Sequence, residues 1–224
     1  EGKVQMKRNM LIINPEYVSP NELAHQLRAM AVLDIVMNPL EDSWLRLVQK
    51  DPLEEAYYVR NGAGDEMDIF FEEKDVFIRG FDHENDLNQF GADEWDESFF
   101  KDSYAGFPQK FLDLYEEEEQ RYSMTFCMWY DGFHKCWKQN AVEGNDGGQD
   151  YLLSYICKNG EEWISWAESY YETKLNRSVA NKVFEGKPLT WEEIQEMNPQ
   201  RDGKAALEEI RENQLEIDIN WKSM

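Results

Sequence analysis

Three short runs rich in β-branched and aromatic residues follow one another in the middle of the chain: "EAYYVR" at 55–60, "EMDIFFEE" at 66–73 and "VFIRGF" at 76–81. Only "NGAGD" and "EKD" separate them, and short polar or Gly-containing links between such runs predict an antiparallel meander. Further on, "YSMTFCMWYDGFHKCWK" sets Tyr122, Met124, Phe126, Met128 and Tyr130 in alternation with Ser123, Thr125, Cys127 and Trp129. That run predicts a hairpin over 122–138. Asp131-Gly132 suits a two-residue turn, which places Trp129 opposite His134 and Cys127 opposite Cys136.

Elsewhere the apolar period is helical. "SPNELAHQLRAMAVLDIVMNP" opens with Ser19 as N-cap, Pro20 at the first helical position and Glu22 completing a capping box, and stops at Asn38-Pro39. A shorter helix is expected over Ser43 to Lys50. "FPQKFLDLYEEEE" brings Phe107, Phe111 and Leu114 to one face, and "EEWISWAESYYETKL" stacks Trp163, Trp166, Ala167, Tyr170 and Tyr171 in a stripe. "KPLTWEEIQEMNP" repeats the capping grammar with Thr190 and Glu193, and a last helix is expected from Gly203 to Asn213. The fold class this implies is α+β. We expect an antiparallel sheet of about five strands, from the 55–81 meander and the 122–138 hairpin, with helices largely on one face. Residues 1–54 read as a helical segment packed on a 55–224 body, the whole forming a single globular unit.

Composition changes the picture mainly through charge. The 224 residues carry 46 acidic against 23 basic side chains, a formal net charge of -23. Such a field repels phosphate backbones and anionic membranes, so neither nucleic acid nor membrane is an expected partner. It favours encounter with a basic protein. The charge is concentrated: Asp65 to Glu119 holds 19 acidic and 4 basic residues, a net of -15, against -8 for the rest. Three cysteines make no disulfide framework and no CxxC pair, which fits reduced thiols in a cytoplasm. The N-terminus lacks a signal-peptide core, and no apolar run has membrane-spanning length.

Candidate chemistry gathers at two places. In "GFDHEND" the side chains of Asp82, His83 and Glu84 are suited to acid/base work, because imidazole titrates near neutrality and carboxylates hold its tautomer. Neighbouring strand residues face opposite ways, so the three converge only if the chain turns sharply; the alternative is a polar strand exit. Asp86, Asn88, Gly91 and Glu97 fall on calcium-loop spacing, but Phe90 occupies a ligand position and a strand precedes the loop, so no calcium site is assigned. No other metal or cofactor is expected: Cys127, His134 and Cys136 would meet only through the turn register, and no GxSxG, HExxH, Walker A or GxGxxG pattern occurs.

The second place is "GADEWDESFFKDSY". Aromatic anchors ringed by carboxylates suit a face for a basic partner, rings supplying desolvated area and charge supplying steering. The candidate binding residues are Asp86, Asp93, Glu94, Trp95, Asp96, Glu97, Phe99 and Tyr104. The alternative is an amphipathic helix with its rings in the core.

"VFIRGFDHEND", "MTFCMWYDG", "DYLLSYI", "WAESYYE" and "KPLTWEEIQEMNP" together resemble an uncharacterised family of bacterial cytoplasmic proteins, over about residues 55–215. That resemblance implies no reaction and no catalytic residue. By size and acidity the chain is also similar to immunity proteins, which occlude a toxin. The leading expectation is therefore a non-enzymatic binding protein, immunity-like, that neutralises a basic toxin or other basic partner. An enzyme centred on His83 and a self-associating structural subunit are the alternatives.

Overall fold

The computed structural model describes residues 8–11, 18–115 and 118–216. Its strands are β1 (Arg8–Leu11), β2 (Val48–Lys50), β3 (Ala56–Arg60), β4 (Glu66–Glu72), β5 (Asp75–Phe81), β6 (Phe126–Asp131) and β7 (Cys136–Val142). Its helices are α1 (Pro20–Met37), α2 (Glu97–Ser103), α3 (Gln109–Leu112), α4 (Glu118–Tyr122), α5 (Gln149–Leu153), α6 (Gly160–Tyr170), α7 (Arg177–Phe184), α8 (Trp191–Met197) and α9 (Gly203–Glu212). The protein is α+β with antiparallel strand pairing. The five expected strands are present as β3 to β7, and β1 and β2 add to them. Among the described residues no helix is long and apolar enough to cross a membrane.

The chain divides into two compact units, residues 1–17 with 63–154 and residues 18–62 with 155–224. The sequence suggests a boundary near residue 54 instead. Long-range bonds account for the grouping of α1 with the C-terminal helices. His25 Nε2 lies 2.6 Å from the Phe184 carbonyl, and Arg201 Nε donates to the Ile35 carbonyl at 3.0 Å.

In the first unit the strand order is β1-β7-β6-β5-β4. Phe70, Phe77 and Trp129 form one cross-strand row and Asp68, Arg79 and Cys127 the next. The chain from α2 to α4 lies over this face. Phe77 meets Phe107 at 4.6 Å and Phe111 at 5.5 Å between ring centres, and Asn140 Nδ2 donates to the Ser103 and Ala105 carbonyls. Ile69, Ile78 and Met128 on the other face are buried as well, which explains why these strands read as continuous apolar runs. Gly80 faces Phe126 across the sheet, and a Cβ there would stand 2.0 Å from Phe126 Cε1. Only glycine lets that ring lie down.

Arg79 is a buried cation in the sheet. It binds Asp68, Glu66 at 3.1 Å and the Gln120 carbonyl, so it ties the meander to α4. In the "FPQKFLDLYEEEE" segment the apolar part forms the single turn of α3, the last two glutamates open α4, and Leu114 is half-buried while Phe107 and Phe111 are core.

In the second unit β2 and β3 pair as a ribbon and α1 is its longest helix. Ser19 and Glu22 form the expected capping box, and Thr190 and Glu193 form another on α8. Where a helix is expected over 43–50, the chain makes a 3-10 turn at Leu40–Leu45 and then β2. The Val48 N–H donates to Asp34 Oδ2 at 2.7 Å, a bond that takes the donor an α-helix would need.

Candidate functional site

Glu66 pairs with Phe81 at the open end of the β4–β5 hairpin, so the segments at Asp65 and Asp82 leave the sheet side by side. The chain then turns, the Asn85 N–H donating to the Asp82 carbonyl at 3.2 Å and the Asn88 N–H to the Asn85 carbonyl at 2.8 Å. That turn supplies the convergence a straight strand forbids. His83 Nδ1 lies 2.7 Å from Asp65 Oδ1, which also accepts the His83 backbone N–H at 3.0 Å. The other ring nitrogen, Nε2, lies 2.9 Å from Glu84 Oε1. Asp82 accepts the Glu84 N–H at 3.1 Å through Oδ1 and donates its own N–H to Thr125 Oγ1 at 3.0 Å.

Asp82, His83 and Glu84 are thus brought together, and the structure adds two residues that the sequence reading missed. Asp65 is 5% exposed and anchors the imidazole; Tyr151 donates its hydroxyl to Asp65 Oδ2 at 3.2 Å. Asp65 is legible in retrospect, because a meander in register puts the residue before β4 beside the residue after β5. A Cβ at Gly148 would stand 2.4 Å from Asp82 Oδ2, so glycine at that position leaves room for the carboxylate. The hydrogen bond that the His83 ring donates to Asp65 is the first cause that raises the His83 pKa; burial opposes it, and the charges of Asp65, Glu84 and Asp82 add to it. A carboxylate-oriented imidazole can hold a proton, pass it to a bound group, or ligate a metal.

From this root a loop runs to α2. Leu87 is buried and pins it, while Asn88 donates to the His83 carbonyl at 2.7 Å and accepts the Phe90 N–H at 3.0 Å. Asn88 therefore braces the loop with both ends of its amide. Phe90 is 59% and Trp95 44% exposed, and the two rings meet edge-to-face at 5.6 Å. Trp95 rests on Phe100 and Tyr122 at 5.2 and 5.3 Å. Asp86, Asp93, Glu94, Asp96 and Glu97 are exposed around this pair.

Two of the expected anchors lie elsewhere. Phe99 is 2% exposed and packs on Phe100, and Tyr104 is half-buried with its hydroxyl donated to the Arg121 carbonyl at 2.8 Å. The helical turn of α2 sends both inward, so for these two the amphipathic-helix alternative is correct. Phe90 takes the exposed place. In the sequence it stands out only as the residue that breaks the calcium-loop spacing, because it lies in a polar stretch with no periodic neighbours.

The β6–β7 register also differs from expectation. Trp129 pairs with Lys138 and Asp131 with Cys136, across a four-residue loop in which Lys135 takes φ 53°. Asp131 stabilises this wider loop by accepting the Phe133 and His134 N–H groups at 3.0 and 2.9 Å. Lys138 and His134 at its side chain hold the Asp131 carboxyl well below the usual range. Cys127 and Cys136 are displaced by four residues along the strands, about 13 Å. That register does not assemble the Cys127–His134–Cys136 trio, and the Cys127 thiol is buried, which pushes its pKa to about 12.

The second unit holds a separate cavity of about 140 Å³ lined by Leu45, Leu47, Tyr155, Trp166 and Tyr170, with Arg60 and Asn61 at its wall. No protein-family model matches the chain, and no curated protein and no solved structure matches it either.

Proposed function

We propose that the protein is a non-enzymatic binder of a basic protein, of the immunity type, acting in a cytoplasm and meeting its partner through the 82–97 loop. The observation that carries this reading is the exposed Phe90–Trp95 pair inside a stretch, Phe81 to Phe100, with seven carboxylates and no lysine or arginine. Rings of this kind supply the desolvated contact that slows dissociation, and the acidic rim accelerates encounter and penalises acidic competitors. A toxin with a cationic working surface is the partner class that such a face fits.

The test is affinity capture from native lysate at low and high salt with three baits: wild type, Trp95→Ala, and the triple reversal Asp86→Lys, Asp93→Lys, Glu94→Lys. The reading predicts one basic protein in stoichiometric yield on the wild type, released by salt. Trp95→Ala weakens that complex by about 2 kcal/mol, roughly thirtyfold, and the triple reversal abolishes it at low salt. Capture that both variants retain contradicts the assignment.

A second reading has its own support. The Asp65-held imidazole of His83 has the orientation an acid/base catalyst needs, and an enzyme working there would lose turnover with His83→Gln while the loop variants left it unchanged.

A further inference from the structure

We infer that Asp65, Asp82 and His83 form a binding site for one divalent transition-metal ion of the zinc or manganese class. The donor atoms of the three side chains lie within 4.8 Å of one another. The set is mixed: an imidazole nitrogen and two carboxylates. Nitrogen ligation turns such a site away from calcium and magnesium, and the lack of a thiolate turns it away from copper(I).

The surroundings match those of metal ligands on both sides. His83 offers Nδ1 toward Asp65 while Nε2 faces Glu84 Oε1 at 2.9 Å, the outer carboxylate that fixes the tautomer of a ligating histidine. Asp65 is 5% exposed and receives the Tyr151 hydroxyl on its second oxygen, so one of its oxygens is oriented from outside and the other faces the imidazole. Asp82 is oriented by the Glu84 N–H, and glycine at position 148 leaves room for its second oxygen. An entering ion takes the Nδ1 lone pair, the ring keeping its proton on Nε2 against Glu84; a doubly protonated ring releases one proton to solvent. Three protein donors leave positions open for water or for a group presented by another molecule. The site stands at the root of the 82–97 loop and does not depend on what that loop binds.

The experiment is titration of chelator-stripped full-length protein with Zn²⁺ and Mn²⁺, with Ca²⁺ as the control for diffuse binding to carboxylates. One saturable equivalent of Zn²⁺ or Mn²⁺ is expected. His83→Gln and Asp82→Asn should each weaken it about tenfold or more, whereas Asp93→Asn leaves it unchanged. Mn²⁺ should broaden the ring signals of His83 in the wild-type protein and spare those of His25 and His134, a readout that needs no variant. Binding no tighter than that of Ca²⁺, binding indifferent to His83→Gln, or broadening spread over all three histidines overturns the inference.

Discussion

The Arg79 guanidinium carbon lies 5.0 Å from the centre of the Tyr115 ring, and the Tyr115 hydroxyl reaches 3.4 Å to Asp68, the carboxylate that Arg79 itself binds. Burial alone would lower the Arg79 pKa, but Asp68, Tyr115 and Glu66 outweigh it and the group stays charged. Burial pushes the Tyr115 hydroxyl far up, so it donates as a neutral group. A cation this deep is worth little net, yet removing one partner strands the other.

Arg79→Met should therefore cost about 3–5 kcal/mol, and Asp68→Leu a similar amount, while the double variant costs less than either single change. Urea unfolding followed by tryptophan fluorescence reads all three. Simple additivity of the two single losses would contradict the pairing.

Asp34 makes the protein more stable in mild acid. It is fully buried in α1, its Oδ1 accepts no hydrogen bond among the described residues, and burial raises its pKa from 3.8 to about 7 despite the Val48 N–H and the charge of Arg46. The folded state thus holds a proton that the unfolded chain gives up near pH 4. The stabilisation is complete below that point and is lost as pH rises to about 7 and beyond. Between pH 8 and pH 5 the gain is about 2–3 kcal/mol. The Asp34→Asn variant should show a smaller difference between those two pH values by that amount; an equal difference would place the titration elsewhere.

Asp96 has two tasks that substitution can separate. Its Oδ1 accepts the Ser98 N–H at 2.9 Å as the N-cap of α2, and its charge belongs to the acidic rim. Asp96→Asn keeps the cap and should leave stability within about 0.5 kcal/mol, whereas Asp96→Lys should lose about 1 kcal/mol. Partner affinity should fall with both. If Asp96→Asn binds as wild type does, that carboxylate is a cap alone.

Local signals in the sequence were strong enough to define several elements. Ser19 with Glu22 and Thr190 with Glu193 close their capping boxes, and Asn38 ends α1, because each bond involves neighbours in the chain. The meander is equally local. What depends on distant partners was not legible: Asp131-Gly132 reads as a tight turn until the Asp131 side chain is seen serving Phe133, His134 and Lys138. Val48 reads as helix until Asp34 takes its N–H. At the candidate site, "DHE" was visible but Asp65, 18 positions from His83, was not, and the exposed ring beside Trp95 proved to be Phe90 rather than Phe99.

Amide hydrogen exchange on the protein, free and saturated with its captured partner, reads whether the 82–97 loop is the binding face. Exchange over residues 82–98 should slow in the complex, and that protection should be lost in parallel with affinity when Trp95 is replaced by alanine. Exchange over 82–98 that is unchanged on binding, with protection confined to other segments, would contradict it.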